Sequence, residues 1–183
     1  MSTARSLVFV HSAVARVSFA GALVLTLAAC ATPRPDASAV VDLQATKGNA
    51  VSGSLRFEQF GNKVHVSGEV RGLKPGGEHG IHVHEKGDCS SGDGVSAGGH
   101  YNPHGTMHGR HGHGPHHVGD LPSLMGDANG VAKVDFDTTA LSITGPAGVL
   151  GKGVIVHRDA DDYKTQPAGN SGPRVACGVI QAK

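Results

Sequence analysis

The fold is decided by one stretch, Lys63-Val64-His65-Val66-Ser67-Gly68-Glu69-Val70-Arg71, in which apolar and polar residues alternate. Successive side chains of a β-strand point to opposite faces, so the valines of this segment share one face. A strict period of two over this length predicts a strand that buries one face in a core and exposes the other.

Further segments have the same character, and Gly, Pro, Asn or Asp residues separate them. They are 40–45, 51–57, 80–84, 131–136, 153–157 and 176–180, together with a weaker segment at 141–143. No segment keeps an apolar period of about 3.6 residues, so no long helix is expected. Many short strands with Gly-rich turns predict an all-β fold, an eight-stranded antiparallel sandwich or barrel.

Two connections are too long to be tight turns, because neither 85–124 nor 158–175 has strand character. Loops of this length within a compact domain are usually functional. The first holds most of the histidines, and the second follows His157 directly. We therefore expect a functional site built from two long loops on a β scaffold.

The composition argues against several classes of partner. The 183 residues are 38% hydrophobic, which is enough for one domain with a core. The formal net charge is +1, and the chain has no Trp and two Tyr. A basic surface for nucleic acid or acidic lipid is therefore not indicated, and neither is an aromatic platform for bases.

The run from 80 to 120 carries most of the 13 histidines and ends on Asp120. Imidazole and carboxylate suit zinc and copper, whereas calcium and magnesium prefer oxygen ligands alone. His82 and His84 lie two residues apart in a predicted strand, so both side chains leave the same face. Ile81 and Val83 then point into the core. The run predicts a transition-metal site.

A series of motifs, taken in chain order, resembles the copper/zinc superoxide dismutase family. The motifs are Gly80-Ile81-His82-Val83-His84-Glu85, Gly99-His100-Tyr101-Asn102-Pro103, His108-Gly109, His117-Val118-Gly119-Asp120, Val156-His157-Arg158-Asp159-Ala160-Asp161-Asp162 and the segment from Gly169 to Ile180. The resemblance covers the chain from about residue 40 to its end. It implies a Greek-key β-sandwich or barrel, bound copper and zinc, and conversion of superoxide to O2 and H2O2.

The resemblance also implies a role for each matching residue. The implied copper ligands are His82, His84, His100 and His157. The implied zinc ligands are His100, which would bridge the two metals, and His108, His117 and Asp120. Asp161 matches a carboxylate that orients a copper histidine and a zinc histidine together. Arg174 matches an active-site arginine that attracts superoxide, and His100 is implied to deliver a proton during the reaction.

Extra histidines depart from the family pattern between Pro103 and His117; they are His104, His111, His113 and His116. The family motif places the zinc histidine three residues before Asp120, which selects His117 over its neighbour. The extra histidines are either solvated loop residues or a weak outer site for loading zinc or copper.

The first 29 residues have the pattern of a signal peptide, because Arg5 and Arg16 precede a short apolar stretch. The stretch ends Leu27-Ala28-Ala29-Cys30, which resembles a bacterial lipoprotein signal whose cysteine becomes lipidated. An ordinary signal peptide or an uncleaved anchor is the alternative. We expect a tether at 30–39, the dismutase domain at 40–183, and a location in the bacterial periplasm or cell envelope. Lipid on Cys30 would be the protein's only membrane attachment.

Three cysteines in an exported protein leave one unpaired. If Cys30 carries lipid, Cys89 and Cys177 are free to pair in an oxidising compartment, and the resemblance includes this pair. A metal-ligand role for a cysteine is the competing interpretation.

Two functions from different classes fit these observations. The first is an exported superoxide dismutase, and assembly into a homodimer is compatible with it. The second is a non-catalytic envelope lipoprotein that binds copper and zinc. A member without catalysis should lack a copper ligand or the arginine, and this chain has His157 and Arg174 in place. The sequence therefore favours the enzyme.

Overall fold

The computed structural model describes residues 33–183, which form ten β-strands and one short 3-10 helix, Val95–Ala97. The strands are β1 (Ala37–Ala45), β2 (Ser52–Phe60), β3 (Lys63–Arg71), β4 (Glu78–His79), β5 (Ile81–His84), β6 (Leu124–Met125), β7 (Ala132–Thr138), β8 (Gly153–His157), β9 (Arg174–Val179) and β10 (Gln181–Ala182). The predicted signal peptide and Cys30 lie outside the described residues. Within residues 33–183, no helix has the length and apolar character needed to cross a bilayer.

Eight of the strands form one curled antiparallel sheet in the order β5-β8-β9-β1-β2-β3-β7, and β10 pairs with β1. Strands β1, β2 and β3 follow one another as hairpins, and β9 returns from far along the chain to lie beside β1. This return is the feature that defines a Greek-key order. The all-β, eight-stranded antiparallel prediction is confirmed.

Strand β3 shows why this sequence folds in this way. Val64, Val66 and Val70 are completely buried on its inner face while Lys63 and Glu69 line the outer face, so the alternation holds at every position except the exposed Gly68. Burying a valine side chain stabilises a fold by about 1.5–3 kcal/mol. The three valines join one large apolar cluster that receives side chains from both halves of the sheet.

The structure corrects one predicted strand. Leu141 and Ile143 are buried, but the segment between them makes only an isolated bridge from Ser142 to Gly148. Its backbone bonds instead to the turn that follows it, because Val149 N–H donates to Ser142 O at 2.9 Å. The eighth strand of the sheet is the short β10. Strand β1 begins at Ala37, three residues before the predicted start at Val40.

The two long loops are present as predicted, as residues 85–123 between β5 and β6 and residues 158–173 between β8 and β9. Cys89 in the first loop forms a disulfide with Cys177 in β9, across a sequence separation of 88. The predicted pairing is confirmed, so both sulfurs are bonded to each other and neither is available to a metal. The bond fixes the start of the first loop to the centre of the sheet.

Replacing both Cys89 and Cys177 with alanine is expected to lower the free energy of unfolding of the metal-free protein. The chain-entropy treatment of a closed loop of 88 residues gives a loss of about 4.5 kcal/mol. Urea denaturation of the metal-free protein and the double variant measures the difference. A loss below about 1 kcal/mol would contradict the expectation, and the chemically reduced unaltered protein is the matched control.

Candidate metal centre

The site begins on the outer face of strands β5 and β8. His82 and His84 leave this face of β5, while Ile81 and Val83 point into the core cluster, as the alternation predicted. His157 ends β8, and a register irregularity lies between it and Val156. All three histidines are at least 95% buried. The two adjacent strands thus present three imidazoles on one side and the apolar core on the other.

The first long loop docks against the free edge of β5. Val83 N–H donates to Gly119 O, and Val83 O accepts from Tyr101 N–H, both at 2.8 Å. These two bonds extend the sheet beyond the edge of β5. The backbone of His100 therefore pairs with that of His84, and the backbone of Asp120 pairs with that of His82. A Cβ on Gly119 would collide with the Val83 carbonyl, so the close approach requires glycine. Backbone pairing therefore delivers two loop residues to the strand histidines.

The first group that this docking assembles consists of His82, His84, His100 and His157. One potential ligand atom from each of them lies within 4.8 Å of the other three. Each ring also has one buried nitrogen without a hydrogen-bond partner, which is Nδ1 of His82 and Nε2 of the other three. A buried polar atom without a partner costs about 1–3 kcal/mol. Four such atoms side by side are accounted for by a cation that they all bind.

The second nitrogen of each strand histidine is held in place. His82 Nε2 donates to Asp161 Oδ2 at 2.7 Å. His84 and His157 each donate from Nδ1 to a loop carbonyl, at 2.9 and 3.1 Å. Because one nitrogen carries the donated proton, the other keeps its lone pair free for a metal. Together with His100, these three imidazoles form a donor set that suits Cu(II).

The second group consists of His100, His108, His117 and Asp120. Three Nδ1 atoms surround Asp120 Oδ1, at 3.0 Å from His100, 3.0 Å from His108 and 3.3 Å from His117. Three imidazoles and a carboxylate form the closed set of four ligands typical of a structural zinc site. His100 belongs to both groups, with Nδ1 facing the second and Nε2 facing the first.

Asp161 joins the two groups through its two oxygens. Oδ2 accepts from His82 Nε2, and Oδ1 accepts from His108 Nε2 at 2.9 Å. Asp161 itself is 5% exposed. One carboxylate therefore sets the ring orientation of a residue in each group.

Burial decides the protonation of the first group. It lowers the pKa of His82 to about 4, that of His84 to about 2 and that of His157 to about 3. All three rings are therefore neutral near pH 7, which is the state that binds a metal.

Hydrogen bonds decide the protonation of His108 and of the two carboxylates that it contacts. Burial by itself opposes a charge on His108, but its hydrogen bonds to Asp120 and Asp161 outweigh burial and raise its pKa to about 9. Burial would raise the pKa of both carboxyl groups, yet their histidine partners hold it well below the usual range. In the metal-free protein, protonated His108 therefore supplies the positive charge beside Asp120 that a bound cation would supply.

A pocket of about 500 Å³ opens onto the first group, and His84, His100 and His157 form part of its wall. Arg174 also lines it, and two backbone carbonyls hold its guanidinium, with Nη1 to Gly94 O and Nη2 to Gly98 O at 2.7 Å each. Burial lowers the pKa of Arg174 from its ordinary high value. The side chain still carries a positive charge, in the same pocket as the neutral rings of His84 and His157.

Comparison with known proteins identifies the family. The family model described as copper/zinc superoxide dismutase matches residues 51–180, which include both groups and Arg174. The chain belongs to the copper/zinc superoxide dismutase family.

Relatives within this family span nearly the whole chain. A superoxide dismutase [Cu-Zn] of Deinococcus radiodurans is 43% identical over 176 residues, covering 88% of this chain and 93% of the relative. An extracellular superoxide dismutase [Cu-Zn] of Drosophila melanogaster is 37% identical, covering 88% and 98%. The crystal structure of the clock protein EA4 superimposes with a TM-score of 0.74 at 40% identity, covering 84% of this chain and 98% of that one.

The extra histidines lie outside both groups. His104 and His113 are exposed, while His111 and His116 are half-buried beside the second group. The structure places His117 in the second group and leaves His116 outside it, as the family spacing predicted.

Sequence reasoning did not find two residues of the second loop. Gln166 hydrogen-bonds the backbone of His108 through both ends of its amide. Gly169 packs so closely on Asp161 and His108 that a Cβ would collide with both. Both roles depend on contacts between segments that are far apart in sequence. For Gly169, its place in a family motif was the one available signal.

The metal-free protein is expected to lose stability as the pH falls below about 6.5. His82, His84 and His157 resist protonation in the fold but take up protons at about pH 6.5 when unfolded, so acid favours the unfolded state. Each group contributes a slope of up to about 1.4 kcal/mol per pH unit. His108 has the opposite effect at higher pH. Its raised pKa stabilises the folded state, and this stabilisation is lost as the pH rises from about 6.5 towards about 9.

Thermal unfolding of chelator-treated protein at pH 4.5 and 6.5 measures the acid effect. A Tm at pH 4.5 equal to or above the value at pH 6.5 would contradict it. The His65→Asn variant is a matched control, since His65 lies far from both groups on β3, beside Asp137.

Proposed function

We propose that the protein is an exported superoxide dismutase that binds copper in the first group and zinc in the second. The observation that carries this proposal is the set of four imidazole nitrogens without a hydrogen-bond partner, three of them on histidines that line a pocket together with Arg174. Membership of the family agrees with it. The proposed copper ligands are His82, His84, His100 and His157, and the proposed zinc ligands are His100, His108, His117 and Asp120.

The chemistry divides between the metal and the chain. Bound copper would supply a one-electron cycle between Cu(II) and Cu(I), so that one superoxide is oxidised to O2 and another is reduced to H2O2. Zinc would have a structural and supporting role. The chain contributes the pocket, the charge that attracts the anion, and groups that hold a proton.

Arg174 has the position and charge to bind the substrate. Superoxide is a small anion, and the guanidinium is the cationic group that lines the pocket. Its two hydrogen bonds to backbone carbonyls fix its direction, so binding the anion requires little further ordering. A role in binding copper and zinc without catalysis would not require a cationic side chain in this pocket.

His100 has the geometry to move a proton. Its Nδ1 faces Asp120 and its Nε2 faces the pocket side of the site, so the ring offers Nε2 as a place where a proton can be held and passed on. Asp161 and the carbonyl partners keep the neighbouring rings in their orientations while this happens. The exclusion of bulk water from the buried rings strengthens these contacts.

The proposal extends to the part of the chain before residue 33. We infer a signal peptide at 1–29, a lipid-carrying Cys30 and a tether to the domain, which would anchor the protein in the bacterial periplasm or cell envelope. The disulfide supports export, because such bonds persist in oxidising compartments. Some relatives are described as extracellular enzymes, in agreement with export. A homodimer is a further part of the proposal, supported by the family resemblance alone.

The Arg174→Ala variant is expected to lose about tenfold or more in kcat/KM for superoxide, because electrostatic steering raises association rates by about 10- to 1000-fold. The Arg174→Lys variant keeps the charge and should retain more activity. Pulse radiolysis on protein of verified copper and zinc content measures the rate constant. Unchanged activity in the alanine variant at full metal content would sink the role of Arg174, and an inactive, fully loaded unaltered protein would sink the enzymatic function.

The Cys30→Ala variant is expected to leave the membrane fraction for the soluble envelope fraction when the full-length chain is expressed in a bacterium. The physical reason is that lipid on Cys30 is the proposed membrane attachment. Metabolic labelling with a fatty acid and fractionation measure the change. The Thr32→Ala variant is the control, since it alters a residue of the same segment but keeps both the proposed lipid site and the disulfide. Equal labelling of the Cys30→Ala variant and the unaltered protein would refute lipidation.

A further inference from the structure

We propose that Gln166, His111 and His116 are positioning residues that hold the backbone of the second group in its metal-binding shape and so slow the release of zinc. The inference rests on the proposed zinc assignment. It gives the extra histidines of the first loop a role that neither of the sequence-based alternatives contained.

Gln166 holds the main chain at His108. Its Oε1 accepts from His108 N–H at 2.8 Å, and its Nε2 donates to His108 O at 2.9 Å. The two residues are 58 positions apart, so this reciprocal pair connects the second loop to the first. Asp161 from the same loop holds the ring of His108, which leaves both the ring and the backbone of this residue fixed.

His111 holds the main chain at Asp120. Its Nδ1 donates to Asp120 O at 2.8 Å, and its ring packs edge-on against Phe136 of β7, with 5.7 Å between ring centroids. The ring is half-buried, so the bond is partly shielded from water. The carbonyl that it binds belongs to the residue whose carboxylate lies at the centre of the second group.

His116 holds the main chain at His117. Its Nδ1 donates to His117 O at 2.8 Å, and its Nε2 accepts from Gly112 N–H at 3.3 Å. Both ring nitrogens of His116 are therefore engaged with backbone. Thr106 Oγ1 adds a bond to His116 O at 2.7 Å, which fixes the residue from the other side.

These contacts replace the support that a strand would give. His82, His84 and His157 lie on β5 and β8, where ladder hydrogen bonds fix the backbone. His108 and His117 lie in the loop, where no such ladder passes through them. Each of these two residues instead has a side chain bonded to its main chain, and so has Asp120, which also forms the backbone bridge to His82.

The same contacts argue against an outer loading site. His116 uses both ring nitrogens for backbone groups, so its ring has no free lone pair for a metal. Among residues 33–183, the side chains that come together in a metal-binding arrangement are those of the two groups already described. The positioning role needs no metal beyond the one in the second group.

The test is the rate at which zinc leaves the fully loaded protein into an excess of a chromogenic chelator. His111→Phe removes the donor but keeps a ring against Phe136, whereas His111→Asn supplies an amide N–H near the position of Nδ1. Gln166→Met removes both amide bonds at similar side-chain length. His113→Phe is the control, because it changes an exposed histidine of the same loop.

We expect His111→Phe and Gln166→Met to release zinc about tenfold or more faster than the unaltered protein, since changes to the partners of metal ligands cost about 10- to 100-fold in affinity. His111→Asn should lie within about threefold of the unaltered protein, and His113→Phe should match it. The absorption spectrum of Co(II) bound in place of zinc should change in the two fast variants and not in the control.

Release at the unaltered rate from His111→Phe and Gln166→Met would overturn the proposal, and so would an equally fast release from His111→Asn and His111→Phe. If His111→Phe does not fold, Gln166→Met decides between the same two results. Zinc release involves no superoxide, so its outcome is separate from that of the activity assay: an inactive protein with fast-releasing variants refutes the enzyme alone, and an active protein with unchanged release refutes the positioning role alone.

Discussion

The site depends on the two backbone hydrogen bonds that Val83 makes on the outer edge of β5. Its N–H and C=O hold Gly119 and Tyr101, and this pairing sets His100 beside His84 and Asp120 beside His82. The loop between the two contacts needs little regular structure of its own, because its ends are already registered against the sheet. Backbone pairing thus aligns the loop residues His100 and Asp120 with the histidines of β5.

The two faces of β5 and β8 have opposite energetic roles. The inner face buries Val83 and Val154 in the apolar core and contributes stability. The outer face buries imidazoles whose free nitrogens lack partners, which costs stability in the absence of a metal. Because metal binding supplies the missing partners, its free energy adds to that of folding. The apolar packing of the inner face therefore offsets the cost of the outer face.

The sequence was sufficient for the features that follow from local pattern. Alternation located β3 and predicted the shared face of His82 and His84, and the motif spacing distinguished His117 from His116. The segment 141–143 was wrongly predicted as a strand, because burial of Leu141 and Ile143 comes from packing of a turn and not from a sheet ladder. An apolar pattern predicts that a segment is buried. Whether the segment forms a strand depends also on a neighbouring segment that can form backbone hydrogen bonds with it.

The positions of Gln166 and His111 could not be predicted for a related reason. Gln166 is 58 residues from the backbone that it contacts, and no spacing rule connects a glutamine to a distant peptide group. His111 could be read from the sequence only as a surplus histidine. Such contacts become visible when two loops are seen together, because their partners are main-chain atoms that every residue possesses.

The edge pairing of Val83 also bears on solubility. An uncovered strand edge is a template for joining another chain, and natural sheets avoid this by covering or charging their edges. In this protein the covering segment is part of the metal-binding loop, held in place by the same residues that form the second group. A molecule that loses this loop from the sheet would expose the N–H and C=O of Val83. The two hydrogen bonds that align the metal-binding residues therefore also protect this edge of the sheet from pairing with another chain.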